Sequence, residues 1–537
     1  MRKQDHSAFR NPVMAVSAFT LFVLAAAGAL LPGPFGEIAK RLLLFTTTNF
    51  GWFYLLAVFA IVIFLCALAV SRYGDIRLGP EDSRPEFPLF TWIAMLFSAG
   101  FGAGLVFWGV AEPMSHFFTP PFGSLTTQSA AAARVAMGYA FFHWGVSQWS
   151  VFALAGLGIG FLQFRLQRDG LVSTALEPVL GTRPATKGVV DVLAVIATVM
   201  GIGTSLGLGV LQIGGGLKSV FGLQDSMALQ LLIVGAMFAA YMASSTTGLH
   251  RGIRWLSNVN LGLCLVLLAF VFVTGPTVFI LNAFTLGLGD YLTHFVEYSL
   301  RLTPYRGGTW VRDWTVFYWA WAIAWSPFVG AFIARISHGR TIREFVIGVL
   351  IVPPAIACVW IATFGGMALH EDLRHAAGIA TLVNTDVTQA LFAVYQHLPL
   401  TALLSVLSVL LIFTFLVTSA DSATYILASM TTYGSAHPPM AARVVWGSLM
   451  AVMAAVLLAA GGLSSLQTAS LVAALPFTVL LLLMMVALMR LLRREPLPVR
   501  AVDLQHHRML AEAARQERSP DHAPGEKGDP HHGSGGS

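Results

Sequence analysis

About a dozen apolar stretches, each near the length that crosses a bilayer, leave this chain one fold class. A hydrocarbon core needs about 20 apolar residues per helix. Lipid offers no partner for backbone N–H and C=O groups, so each stretch must pair them internally as a helix. The stretches fall at roughly 13–33, 51–71, 90–112, 131–163, 189–213, 226–244, 254–281, 314–335, 344–368, 399–430, 441–461 and 465–491. With 56% hydrophobic and 11% charged residues in 537, the chain lies outside the soluble globular range. The expectation is an all-α polytopic membrane protein of about 12 transmembrane helices.

Loop charge sets the orientation. Arginines cluster after the second span (Arg72, Arg77, Arg84), the fourth (Arg165, Arg168, Arg183), the sixth (Arg251, Arg254), the eighth (Arg335, Arg340, Arg343) and the tenth (Arg443). Positive loops stay inside, so both termini are expected in the cytoplasm. Arg301, Arg306 and Arg312 fall on the other side. They flank an amphipathic stretch, 289–303, expected to lie along the membrane surface. Residues 1–12 read as a cytoplasmic tail, 13–71 as two peripheral helices and 492–537 as a basic cytoplasmic tail. The first apolar run lacks a small-residue cleavage site and reads as a retained helix. The net charge of +6 fits this loop pattern better than nucleic-acid binding. Arginine-rich, lysine-poor usage with much Ala, Leu and Gly suggests a bacterial inner membrane. Cys66, Cys264 and Cys358 lie in apolar runs without metal-ligand spacing.

Two spans carry interruptions. The eighth, within Arg312–Arg343, holds Trp314, Trp319, Trp321 and Trp325, and then Ser326-Pro327 in mid-span. Proline removes a backbone donor, which predicts a kink or break near Trp325. The third reads SAGFGAGLVFWGVAEP. Its Gly100, Gly102 and Gly104 recur every second residue, a spacing that favours unwinding over a helix-packing face. Four continuous spans separate these two, so each opens a block of five. Five is odd, and the blocks 90–281 and 314–491 therefore enter the membrane in opposite orientations. That is an inverted repeat with a binding site between broken helices.

The fourth span, FFHWGVSQWSVF, adds Trp144, Trp149 and Phe152 on neighbouring faces of one helix. With Trp321 and Trp325 they suit a cage for a quaternary ammonium, each cation–π contact contributing about 0.5–2 kcal/mol. His143 reads as a hydrogen-bonded membrane histidine, with a proton relay left open. In the tenth span, Thr418 and Ser419 offer hydroxyls near Asp421. Hydroxyls with the carbonyls of an unwound helix make a hard-oxygen site suited to Na⁺. Hydroxyls bonding back to their own helix are the plainer alternative. The sequence contains no nucleophile–base pair, phosphate loop or metal-ligand cluster, so an enzyme or a self-powered ATPase is not expected.

These stretches together resemble the betaine/choline/carnitine transporter family. The resemblance is carried by YGDIRLGPEDSRPEF, GFGAGLVFWGVAEP, FFHWGVSQWSVFA, ATVMGIGTSLGLGVLQIGGGL, RDWTVFYWAWAIAWSPFVGAFIARISHGRTIREF and VTSADS, from Tyr73 to Asp421 and beyond. It implies twelve helices with two inverted five-helix repeats, a homotrimer, and substrates with an onium head and commonly a carboxylate. It places the aromatic box on Trp144, Trp149, Phe152 and Ala322, with Trp325 adjoining and Trp321 beside it. Phe152 stands where tyrosine is usual and Ala322 where tryptophan is usual, which removes a hydroxyl and opens a wall. Gly104 stands where choline carriers often have aspartate, which favours a zwitterion. One sodium site falls on the carbonyls of Ser98, Phe101 and Phe415 and the hydroxyls of Thr418 and Ser419. A second falls on Thr198, Ile202 and the Phe328 region; Ile202 cannot ligate, and Thr204 is close. The expectation is a secondary symporter, Na⁺-coupled, for a small zwitterionic onium solute. A sodium-independent exchanger or proton-coupled carrier of choline, carnitine or a related solute is the alternative. On either reading the solute and membrane lipid are the partners.

Overall fold

The computed structural model describes residues 11–497 other than 101, 124, 248–249 and 306, together with 509 and 512. The N-terminal tail up to residue 10 and most of the 492–537 tail lie outside the described residues. Residues Glu495–Ser537 form a unit separate from Met1–Arg494. Within the larger unit the chain forms α1 (Pro12–Leu30), α2 (Pro32–Val70), α3 (Leu89–Gly100), α4 (Ala103–Phe118), α5 (Ala130–His143), α6 (Val146–Gly160) and α7 (Pro184–Phe221). It continues through α8 (Met227–Thr247), α9 (His250–Thr274), α10 (Thr277–Thr293), α11 (Phe295–Leu300) and α12 (Phe317–Ile336). It ends with α13 (Ile342–His375), α14 (Thr401–Met430), α15 (Met440–Gly461) and α16 (Leu463–Leu492). Among the described residues, 11 helical stretches are long and apolar enough to cross a membrane. The pair α3–α4, too short singly, accounts for the remaining span of the sequence reading. The chain is all-helical and polytopic.

The third span breaks as expected. Gly102 is extended (φ −160°, ψ 167°) between α3 and α4. The eighth does not break, which corrects the sequence reading. Proline at 327 leaves the Ile323 carbonyl without its usual i+4 donor, and the Ser326 hydroxyl donates to that carbonyl at 2.8 Å. The helix therefore runs on through Ile336. Its irregularity lies earlier, in a π-helical turn over Arg312–Val316.

The second interruption is in the fourth span, which the sequence reading took as continuous. Helix α5 ends at His143 and α6 starts at Val146. The Tyr291 hydroxyl enters this break and accepts from the Val146 N–H at 2.9 Å. A Cβ on Gly145 would lie 2.4 Å from that hydroxyl, so only glycine fits. The amphipathic stretch 289–303 is not one surface helix. It divides between the end of α10 and the short α11, and its Tyr291 and Tyr298 are buried. Tyr298 stacks on Tyr139 of α5 with ring centroids 4.1 Å apart. Asp290 holds Arg134 of α5 at 2.6 Å. This stretch is a brace against α5.

Candidate substrate cavity

The two breaks and α12 meet at one cavity of about 240 Å³. The start of α4 supplies Gly102, Ala103 and Gly104. The turn between α5 and α6 supplies Trp144, and α6 supplies Gln148, Trp149 and Phe152. Helix α12 supplies Trp321, Ala322, Trp325 and Phe328. Helix α14 closes the opposite wall with Phe415, Thr418 and Ser419, and Ser98 of α3 adjoins them. Among the described residues, the lining contains no charged side chain. Of the expected residues, Phe101 lies outside the described residues, and Gly100 ends α3.

The rings are held at defined angles. Trp144 and Trp321 meet edge to face, 6.1 Å apart at 86°. Trp149 and Phe152 do so at 5.3 Å and 84°, and Trp325 and Phe328 at 5.5 Å and 89°. Gly104 permits the first pair. A Cβ there would lie 2.7 Å from the Trp321 ring and 3.4 Å from Trp144. Ala322, between Trp321 and Trp325 in sequence, presents only a methyl group to the cavity, which leaves room where a larger ring would stand.

Polar groups around the space have unused valences. The Trp325 indole nitrogen, the Asn260 amide nitrogen and the Gln148 carbonyl oxygen are buried without a hydrogen-bond partner. All three residues line the cavity. Such orphaned groups are expensive unless a ligand or water meets them. The first turn of α4 has no side-chain cap. Its leading N–H groups and the positive end of its dipole therefore lie at the cavity wall.

The hydroxyl end differs. Thr418 Oγ1 bonds back to the carbonyls of Thr414 and Phe415, at 3.1 and 3.0 Å. Its lone pairs stay available to a cation, and Ser98 and Ser419 share its cavity. This hydroxyl and carbonyl set fits a hard monovalent cation and not a soft metal. Thr198, expected at a second ion site, is fully buried and donates to Ala194 of its own helix at 2.7 Å. It does not line the cavity, whereas Ile202 and Phe328 do. Thr204 is turned to α16: it donates to the Leu466 carbonyl at 2.7 Å and accepts from Ser470 at 2.8 Å.

Sequence reasoning missed one residue. Glu112 of α4, fully buried, pairs with His143 Nδ1 at 2.6 Å and His116 Nε2 at 3.2 Å. It also accepts from the Trp144 indole at 2.9 Å and the Tyr318 hydroxyl at 2.5 Å. His143 continues through Nε2 to Thr315 Oγ1 at 2.9 Å. Stacked and edge-on rings of Tyr139, Trp310, Trp314 and Tyr318 surround the two imidazoles. The available signal was a lone acid in an apolar run, one residue before Pro113.

Among the described residues, eleven membrane-length helices and a ring-lined chamber between them fit a carrier of a small solute. The chain belongs to the betaine/carnitine/choline family of transporters, which it matches over residues 12–497. It is 62% identical over 490 residues to the ectoine/hydroxyectoine transporter of Virgibacillus pantothenticus, covering 91% of this chain and 98% of that one. It is 44% identical to the glycine betaine transporter OpuD of Bacillus subtilis, over 87% of this chain and 91% of the relative. Identity to the high-affinity choline transport protein of Escherichia coli is 37%, over 90% and 72%.

Proposed function

We propose that the chain is a sodium-coupled symporter for a cyclic zwitterionic solute of the ectoine kind, taken up across the bacterial inner membrane as a compatible solute or nutrient. The observation that carries this reading is the cavity: aromatic on several sides, devoid of charged side chains, with buried donors left open. A net-neutral solute suits such a lining, because no charged side chain reaches the cavity to pair directly with a bare cation. Trp144, Trp149, Trp321 and Trp325 hold the cationic head through their ring faces. The N–H groups opening α4 and the Trp325 indole take the carboxylate. Ala322 gives a ring that carries a planar, delocalised amidinium the space that a tryptophan would deny it. The name of the 62%-identical relative points to the same solute class.

Sodium sits between Ser98, the Phe415 carbonyl, Thr418 and Ser419, and ties α3 to α14. Its differential binding between conformations couples the gradient to uptake. Only this one ion is assigned, since the Ile202 side chain has no oxygen to offer and Thr198 does not line the cavity. The two inverted five-helix blocks, cytoplasmic termini and homotrimeric assembly belong to the same reading.

The test is uptake of labelled ectoine into proteoliposomes, with and without an inward sodium gradient, against unlabelled hydroxyectoine, glycine betaine, choline and carnitine. Sodium-driven uptake that hydroxyectoine blocks better than choline is expected. Uptake that ignores sodium removes the coupling. The 2.6 Å pair between Glu112 and His143 favours proton coupling as a second reading. That reading requires uptake to follow an imposed proton gradient without sodium.

A further inference from the structure

We infer that Glu112 is the positioning residue of the cation cage: it fixes Trp144 and charges that wall from behind. The inference rests on reading the cavity as the solute site. Glu112 does not line the cavity, but Trp144 does. One face of that indole closes the space, and its Nε1–H is spent on Glu112 Oε2 at 2.9 Å. The same oxygen takes the Tyr318 hydroxyl at 2.5 Å, and Oε1 meets His143 and His116. Every partner is a neutral donor or an imidazole. No lysine or arginine is among them.

Packing alone does not account for a carboxylate here. Removing an acid from water costs several kcal/mol, and a neutral amide of the same shape would fill the same space. The carboxylate adds two things that an amide does not. In its ionised form it grips the indole N–H by a charge-assisted bond, roughly twice the strength of a neutral one. It also polarises the indole, since donation to an anion pushes electron density into the ring and makes the face toward the cavity more negative. That strengthens the attraction the face exerts on a cation. A cavity with no charge on its lining thus acquires a bias for the onium head, while its wall stays apolar and dry. The ring is held from three sides, by Glu112 at its nitrogen, by Trp321 edge-on at 6.1 Å, and by the bare Cα of Gly104.

The test uses full-length protein in proteoliposomes and the variants Glu112→Gln and Trp144→Phe. Glu112→Gln keeps the shape and loses the charge; Trp144→Phe loses the N–H that connects the two. Each is expected to raise the ectoine KM by about 3- to 10-fold, as a charge-assisted bond and a polarised ring are lost, with Vmax retained. The double variant is expected to be no worse than the poorer single one. A second readout isolates charge. Inhibition by glycine betaine is compared with inhibition by its carbon isostere, in which a quaternary carbon replaces the nitrogen. The native preference for the cation should shrink in Glu112→Gln.

Trp325→Leu serves as control for the cavity. If it leaves KM unchanged, the reading of the cavity falls. If it raises KM while Glu112→Gln does not, only the present inference falls. Additive effects of the Glu112 and Trp144 changes, or an unaltered preference for the cation, also overturn it. Should Glu112→Gln fail to accumulate, Tyr318→Phe frees the same Oε2 of its second donor. The indole is then the only donor to that oxygen and its bond is no weaker, so KM is expected to stay level or fall, and a rise in KM contradicts the inference.

Discussion

The two ends of the cavity are built by opposite means. At the aromatic end, Trp144 is bonded to Glu112, Trp321 to Ser205 at 3.0 Å, and the rings lock one another edge to face. The ring planes there are set before a ligand arrives, and among the described residues of this end only the Trp325 indole nitrogen and the Gln148 carbonyl oxygen are buried without a partner. At the hydroxyl end, Thr418 and Ser419 stand on a continuous α14, and Thr418 is satisfied only by its own helix. Close by, the Asn260 amide nitrogen has no partner, although its carbonyl oxygen takes Thr414 Oγ1 at 2.6 Å. A preorganised cage spends little ordering entropy when a solute arrives. An end with open valences changes most when an ion fills it, which is what a coupling site requires.

Substitutions break this contrast in graded ways. Gly104→Val drives a branched side chain into the Trp321 ring, already 2.7 Å from where a Cβ would stand. Uptake should be lost entirely, with the protein still monodisperse by size exclusion. Thr418→Ala combined with Ser419→Ala should remove the sodium stimulation of uptake. A coupling of the usual size makes that about a 5- to 150-fold effect at limiting solute. Trp325→Leu removes one ring face and the indole N–H that meets the carboxylate. The ectoine KM should rise by at least about 2- to 30-fold, the equivalent of the cation–π contact alone, with sodium stimulation retained. Ala322→Trp refills the missing wall. It should shift competition from ectoine toward glycine betaine by about 5-fold, the worth of roughly 1 kcal/mol of ring contact.

The smallest effect concerns the helix that carries the cage. Ser326→Ala removes the hydroxyl that meets the Ile323 carbonyl ahead of Pro327. A loss of about 1 kcal/mol is expected, seen as a lower melting temperature in detergent with KM little changed.

Ser326 also shows where the sequence misleads. Apolar length marked the spans closely, because lipid imposes it. Glycines spaced by two marked the α3–α4 break, because that spacing is local. Proline at 327 signalled a break that one neighbouring hydroxyl repairs. The α5–α6 break had no local signal beyond Gly145, since its cause is the Tyr291 hydroxyl, 145 positions away from Val146. Glu112 escaped notice for the same reason. Its four partners come from its own helix, from the α5–α6 turn and from the start of α12, and only the fold gathers them.

The central claim is that one cavity binds solute at its aromatic end and sodium at its hydroxyl end, and that the two reinforce each other. The direct test is equilibrium binding of labelled ectoine to the purified protein as sodium is varied. The account predicts that sodium tightens ectoine binding and that ectoine tightens sodium binding by the same factor, since linkage is reciprocal. Thr418→Ala/Ser419→Ala should abolish that factor while leaving the sodium-free affinity for ectoine unchanged. Ectoine binding that is equally tight with and without sodium would contradict it.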